Sequence, residues 1–164
     1  MSYCTCSPCQ PDDGPEWDCP DHGHLVLPRI YVAGGSGERL TVVQPMIRRL
    51  QAEGARITHD WTLCPGFDYD GTPAELAGWA REDLEGVRNA DLVWVMVPED
   101  KSEGAHAELG AAIILGKTVF ASGPHCYSAR RIFPLLASRV FATHDAAFRA
   151  IVRKAKPGPH KANG

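Results

Sequence analysis

The sequence predicts a doubly wound α/β domain, flavodoxin-like, with a parallel sheet of about five strands and helices on both faces. Three observations carry that expectation. From residue 25 onward, short apolar runs alternate with stretches of helical periodicity, the order of a parallel sheet joined by crossover helices. The run DLVWVMV at 91–97 is apolar almost throughout, as in strands covered on both faces. The opening strand ends in Gly34-Gly35-Ser36-Gly37, a glycine-rich turn that leads into a helix.

Each element follows in order. Residues 25–33 (LVLPRIYVA) form the first strand, and 40–53 a helix with Val43, Met46, Ile47 and Leu50 on one face, stopped by Gly54. A second strand is expected over 56–61 and a loop over 64–73, punctuated by Gly, Asp and Pro. The helix expected over 74–89 has Leu76, Trp79, Ala80, Leu84 and Val87 as its apolar stripe. After the strand at 91–97 come a short helix of small residues over 107–115, ended by Gly116, and a strand over 118–121. A helix at 128–136, a fifth strand at 139–142 and a closing helix at 145–154 complete the pattern. The chain of 164 residues thus divides into a Cys-rich segment (1–24), one domain (25–156) and a loose tail (157–164).

Composition excludes several classes of function. A net charge of −3 and a pI near 6.1 leave no electrostatic footprint for a nucleic-acid polymer. No apolar run approaches the ~20 residues of a membrane span, and the polar N-terminus lacks the apolar core of a secretory signal. A cytoplasmic, reducing environment is therefore expected. Four of the six cysteines fall within the first 19 residues, which points to metal rather than disulfides. Cys6-Ser-Pro-Cys9 and Cys19-Pro-Asp-His22 form two tight ligand pairs suited to one tetrahedral zinc ion, with Cys4 and His24 as spares. Such a site is structural, all four positions being filled by protein, and it would supply ordering energy that the composition lacks. The alternative is a reduced tail that binds nothing. No Lys or Arg precedes Arg29, which argues against a zinc knuckle that reads nucleic acid.

Three elements of the domain are candidates for chemistry. The turn Gly34-Gly35-Ser36-Gly37-Glu38-Arg39 lets backbone approach a ligand closely, and helix-start N–H groups attract anions. It is neither G-x-G-x-x-G nor a phosphate-binding P-loop, and taken alone a plain tight turn with no ligand is the better explanation of it. Asp83, one turn after Trp79 and one before Val87, borders the apolar face of its helix, where partial desolvation would keep it available as a proton donor. The alternative is an ordinary solvated helix charge. The third is the loop carrying Ser102, Gly104 and His106 into Glu108. Ser102 can donate to a hydroxyl or phosphate oxygen. Glu108 is expected to open its helix at the end of the sheet, and a carboxylate among helix-start N–H groups stays ionised and oriented as a nucleophile must be. His106, two residues earlier, is placed at the cleft edge without a part in the chemistry.

The segments IYVAGGSGER (30–39), EDLEGVRNAD (82–91) and SEGAHAELGAAIILGKTVF (102–120), in that order, resemble the nucleoside 2-deoxyribosyltransferase family and its branch of 2'-deoxynucleoside 5'-phosphate N-hydrolases. The resemblance covers about residues 29–145. It implies that Glu108 attacks C1' of the sugar, that Asp83 handles substrate and protonates the departing base, and that Tyr31 lies near the sugar. Ser102 stands where the nucleotide-hydrolysing branch has a phosphate-binding serine. The second glycine of the turn displaces Ser36 and Arg39 from that branch's Gly-Ser-x-Arg pattern. The G-x-H-x-E spacing, with His106, is similar to cytidine-monophosphate hydrolases of nucleoside-antibiotic pathways, so ribose is open alongside deoxyribose. The family also implies a homo-oligomer and no cofactor for the chemistry itself.

Two readings result. In the first, the protein cleaves or exchanges the N-glycosidic bond of a (deoxy)nucleoside or its 5'-monophosphate through a glycosyl-enzyme on Glu108, as hydrolase or transferase. In the second, it is a non-catalytic nucleotide-binding module on the same fold. Trp61 and Trp79, on apolar faces, are assigned to the core rather than to base stacking, Trp94 is core, and Cys64 and Cys126 are read as ordinary thiols.

Overall fold

The computed structural model describes residues 27–64, 71–99, 102–127 and 133–154. The zinc ligands expected at Cys6, Cys9, Cys19 and His22 lie outside the described residues. Five strands, β1 (Arg29–Ala33), β2 (Arg56–Ile57), β3 (Leu92–Met96), β4 (Thr118–Ser122) and β5 (Arg139–Phe141), pair in parallel in the order β2-β1-β3-β4-β5. This is the flavodoxin-like order that alternation of strands and helices predicted. Helices α1 (Gln44–Ala52) and α4 (His144–Lys154) cover one face, and α2 (Pro73–Asn89) and α3 (Glu103–Ile114) the other.

The central strands are buried because both of their faces meet helices. Ile30, Tyr31, Val32 and Ala33 of β1 and the whole of β3 lie in the core, against Ile47 and Leu50 of α1 and Leu109 and Ala112 of α3. The Trp94 indole N–H donates to Ser122 Oγ at 2.7 Å, and that hydroxyl is 2.8 Å from His144 Nδ1. Burial pushes the His144 imidazole below its ordinary pKa, so it stays neutral inside this chain of bonds. At the opposite end of β1, Arg29 grips Asp91 through Nη2 at 2.6 Å and through its backbone N–H at 2.9 Å, fixing the entry of β3 beside β1.

Several boundaries differ from expectation. The strand expected over 56–61 ends at Ile57, after which Trp61–Leu63 form a single 3-10 turn capped by Asp60, whose side chain accepts from the Thr62 N–H. The Trp61 indole N–H donates to Val32 O at 2.8 Å and ties that turn to the end of β1. The helix expected from residue 40 begins with a wide π-type turn over Arg39–Val43 before α1 proper. Pro45 stands at its start, where a proline ring is tolerated but cannot continue a preceding α-turn. Within the helix expected over 128–136, the described residues Phe133–Leu136 make only one 3-10 turn, consistent with the missing N–H of Pro134. Leu84, assigned to the apolar stripe of α2, is 42% exposed; the buried side of that helix is centred instead on Gly86 and Val87. Among the described residues, no helix is long and apolar enough to cross a membrane.

Candidate functional site

Strand order reverses between β1 and β3, which run parallel: β1 leads to α1 on one face, and β3 leads to α3 on the other. Loops part at such a switch point and leave a crevice at the carboxyl ends of the strands. Here the crevice is a cleft of about 540 Å³. Gly34, Ser36 and Trp61 line it from the ends of β1 and β2, Leu76, Trp79, Ala80 and Asp83 from α2, and Ser102, Gly104, Ala105 and Glu108 from α3.

The glycines of the turn after β1 have a packing reason. A Cβ on Gly34 would stand 2.5 Å from Val43 Cγ2, and one on Gly35 would stand 2.6 Å from Pro98 Cβ. Both must therefore lack side chains for the turn to close, whatever the cleft holds. Only Gly34 and Ser36 of that turn reach the cleft; Gly35 does not line it, and Arg39 points instead to Cys64 O at 3.5 Å.

Glu108 is not at a helix start. Ser102 caps α3, its hydroxyl accepting from the Ala105 N–H at 3.3 Å, so the helix begins at Glu103 rather than 107 and Glu108 lies in its second turn. The orphan N–H groups of the first turn are out of its reach. Glu108 is 7% exposed, and its Oε1 accepts from the Tyr31 hydroxyl at 2.7 Å. Burial pushes its carboxyl up to about 8, opposed by the Tyr31 hydrogen bond and assisted by the charge of Asp83. At neutral pH the protonated form predominates, which differs from the expectation of a carboxylate kept ionised by helix N–H groups.

Asp83 does border the apolar face of α2, as its spacing suggested. Burial raises its pKa, while His59, whose Nε2 is 3.4 Å from Oδ1, and the Tyr31 hydroxyl hold it down, and Glu82 raises it further. The Tyr31 phenol is buried completely and kept protonated, first by burial and then by the charges of Glu108 and Asp83. Tyr31 thus stands behind the cleft wall, bonded to Glu108 and acting on the protonation of Asp83; it does not itself line the cleft. His106 is turned away. Two residues are about 200° of helix rotation, so when Glu108 faces the cleft His106 faces elsewhere, with its Nδ1 2.6 Å from Ser102 O.

Residues that patterning did not single out complete the site. His59 partners Asp83, and its only sequence signal is a place just beyond a strand's carboxyl end. Trp79, assigned to the core, is half-buried and forms a wall of the cleft, and Trp61 offers it an edge although it is 3% exposed. Gly86 on α2 lets Tyr31 pass: a Cβ there would lie 2.8 Å from Tyr31 Cδ2 and Cε2 and 2.8 Å from His59 Cβ. Gly86→Ala is accordingly expected to lower stability by about 1–3 kcal/mol through overpacking. The same change in an exposed helix raises stability by up to about 1 kcal/mol. A urea midpoint above that of the unsubstituted protein would show that the space beneath Tyr31 is not tight.

Fold and cleft together define a doubly wound α/β protein with paired carboxyl groups at its switch point. Neither a protein-family model nor a curated protein sequence matches the chain. Among solved structures it is similar to the CMP N-glycosidase BcmB of Clostridium botulinum, with a TM-score of 0.47 and 14% identity over 76% of this chain and 96% of that one.

Proposed function

We propose that the protein breaks the N-glycosidic bond of a nucleoside or nucleoside 5'-monophosphate through a covalent glycosyl–Glu108 intermediate. The observation that carries this reading is that Glu108 and Asp83 line one cleft, with Tyr31 behind it donating its hydroxyl proton to Glu108 and acting on the protonation of Asp83 as well. Two carboxyl groups in environments of different polarity divide the roles of nucleophile and acid. Coupled groups of this kind lose their protons in two steps that belong to the pair. The productive state between those steps has Glu108 ionised and the proton on Asp83. Developing positive charge on the sugar favours that state, because it stabilises an anion at Glu108.

In the reaction a Glu108 oxygen bonds to C1' as the C1'–N bond breaks; the bond's electron pair goes to the base, which takes the Asp83 proton. Water, or a second base, then attacks C1', displaces Glu108 and returns a proton to Asp83. Trp79 supplies an aromatic wall for a heterocycle, and the cleft is within the size range of small-molecule sites. A 5'-phosphate would find hydroxyl donors in Ser36 and in Ser102, whose hydroxyl accepts from the Ala105 N–H and still has its own proton to donate.

The test is incubation of the protein with the common ribo- and deoxynucleosides and their 5'-monophosphates, with and without an added free base, followed by chromatography of the products. Release of base supports the reading, and appearance of a new nucleoside identifies a base as acceptor. Ligand binding across the panel without base release would make the protein a binding module. Tyr31→Phe supplies a finer check. The lost hydrogen bond favours ionised Glu108, so its removal raises that group's pKa. The ascending limb of the kcat/KM profile should move to higher pH; an unmoved limb would separate Tyr31 from the reacting carboxylate.

A further inference from the structure

Just outside the cleft, His59, Cys64 and Glu82 bring three donor atoms within 4.8 Å of one another. His59 and Cys64 flank the 3-10 turn at Trp61–Leu63, while Glu82 comes from α2. Of these, His59 Nε2 and Cys64 Sγ are 3.9 Å apart. Ligands on a tetrahedral zinc ion stand about 3.5 Å from each other. The histidine and cysteine are therefore nearly in place, and the exposed Glu82 side chain has the freedom to close the remaining gap. The donor set is one imidazole nitrogen, one sulfur and one carboxylate oxygen, a combination that favours zinc over magnesium or calcium. The surroundings are anionic as well. Burial pushes the Cys64 thiol up, and the charges of Asp83, Glu82 and Asp60 push it further, against Arg39.

We propose that His59, Cys64 and Glu82 form a zinc-binding site at the rim of the cleft. The three side chains leave one tetrahedral position for water. On binding, Cys64 releases its thiol proton and ligates as thiolate, while neutral His59 carries its proton on Nδ1 and presents Nε2 to the metal. The same Nε2 faces Asp83 at 3.4 Å, so the bound ion takes His59 away from that carboxylate. The site does not depend on the reaction assigned to the cleft.

Cobalt(II) is the probe, because a cobalt–thiolate bond absorbs in the near ultraviolet and reports how many sulfurs bind. The full chain carrying Cys4, Cys6, Cys9 and Cys19 as serines removes the N-terminal thiols. That protein is expected to bind one cobalt with one-thiolate absorption and to release it to zinc. Adding Cys64→Ser should erase the absorption, and His59→Gln should weaken binding at least about tenfold, with circular dichroism showing the fold retained. In the otherwise unchanged chain, Cys64→Ser should lower the cobalt stoichiometry by one, a second measurement should the serine-substituted protein not fold. Cobalt binding that is absent from the serine-substituted protein while that protein folds, or that is indifferent to Cys64→Ser and His59→Gln, overturns the site.

Discussion

Glu108→Gln is expected to stop base release, lowering kcat/KM by on the order of 10³-fold or more, while nucleoside affinity changes little. Glutamine has nearly the volume of glutamate and keeps an oxygen to accept the Tyr31 hydrogen bond, so the cleft should keep its shape. What it loses is the ability to form an ester with C1'. The comparison is a single-turnover measurement of free base by chromatography, beside binding of the same nucleoside by calorimetry. Mass spectrometry of the quenched protein adds a direct readout: one glycosyl increment on the unsubstituted chain, absent from the variant. Undiminished turnover in Glu108→Gln would remove Glu108 from the reaction, and equal loss of binding and turnover would make it a ligand-holding group only.

The second large effect is on stability, and it needs no substrate. Glu108 has its pKa raised from 4.5 to about 8 in the folded protein. Its sign follows from proton linkage: between those values the folded state holds a proton that the unfolded chain has lost, so stability falls as pH rises. Below about pH 4.5 both states are protonated and the group makes no such demand. Above about pH 8 the whole cost of a buried carboxylate is felt. A tenfold difference in proton affinity between the folded and unfolded states is worth about 1.4 kcal/mol, so a shift from 4.5 to about 8 corresponds to a stabilisation of roughly 5 kcal/mol by Glu108→Gln at pH 9, shrinking toward nothing by pH 4.5. Taking the difference between the two proteins at each pH cancels groups that titrate alike in both, such as Asp145 and Asp91, whose pKa values are lowered. A difference that is flat with pH, or one that favours glutamate at high pH, would mean that Glu108 is solvated and ionised.

Much of the molecule was legible in the order of its residues. Unbroken apolar runs and period-3.6 patterns reported the sheet and its helices, because a parallel strand buried on both faces has to be apolar, as Leu92–Met96 is. The same reasoning brought out Asp83, since an acid beside an apolar stripe is a local property of a helix, while the signal for Glu108 was its place in the loop-to-helix segment after the buried strand. Local patterns did not report where α3 begins. One serine hydroxyl decided that, and with it moved Glu108 from the first turn to the second. They also did not report that β2 stops after two residues, which frees His59, Trp61 and Cys64 to gather at the cleft.

Sequence alone thus determined the layered α/β architecture and the residue types available to the site, because hydrophobic periodicity and helix-face spacing act over a few neighbours. Tertiary structure alone decided the protonation of Glu108, the place of Tyr31 behind the cleft and the turning away of His106. Those depend on burial and on partners 77 positions apart, as for Tyr31 and Glu108, and a charge's cost is set by what surrounds it in space rather than along the chain.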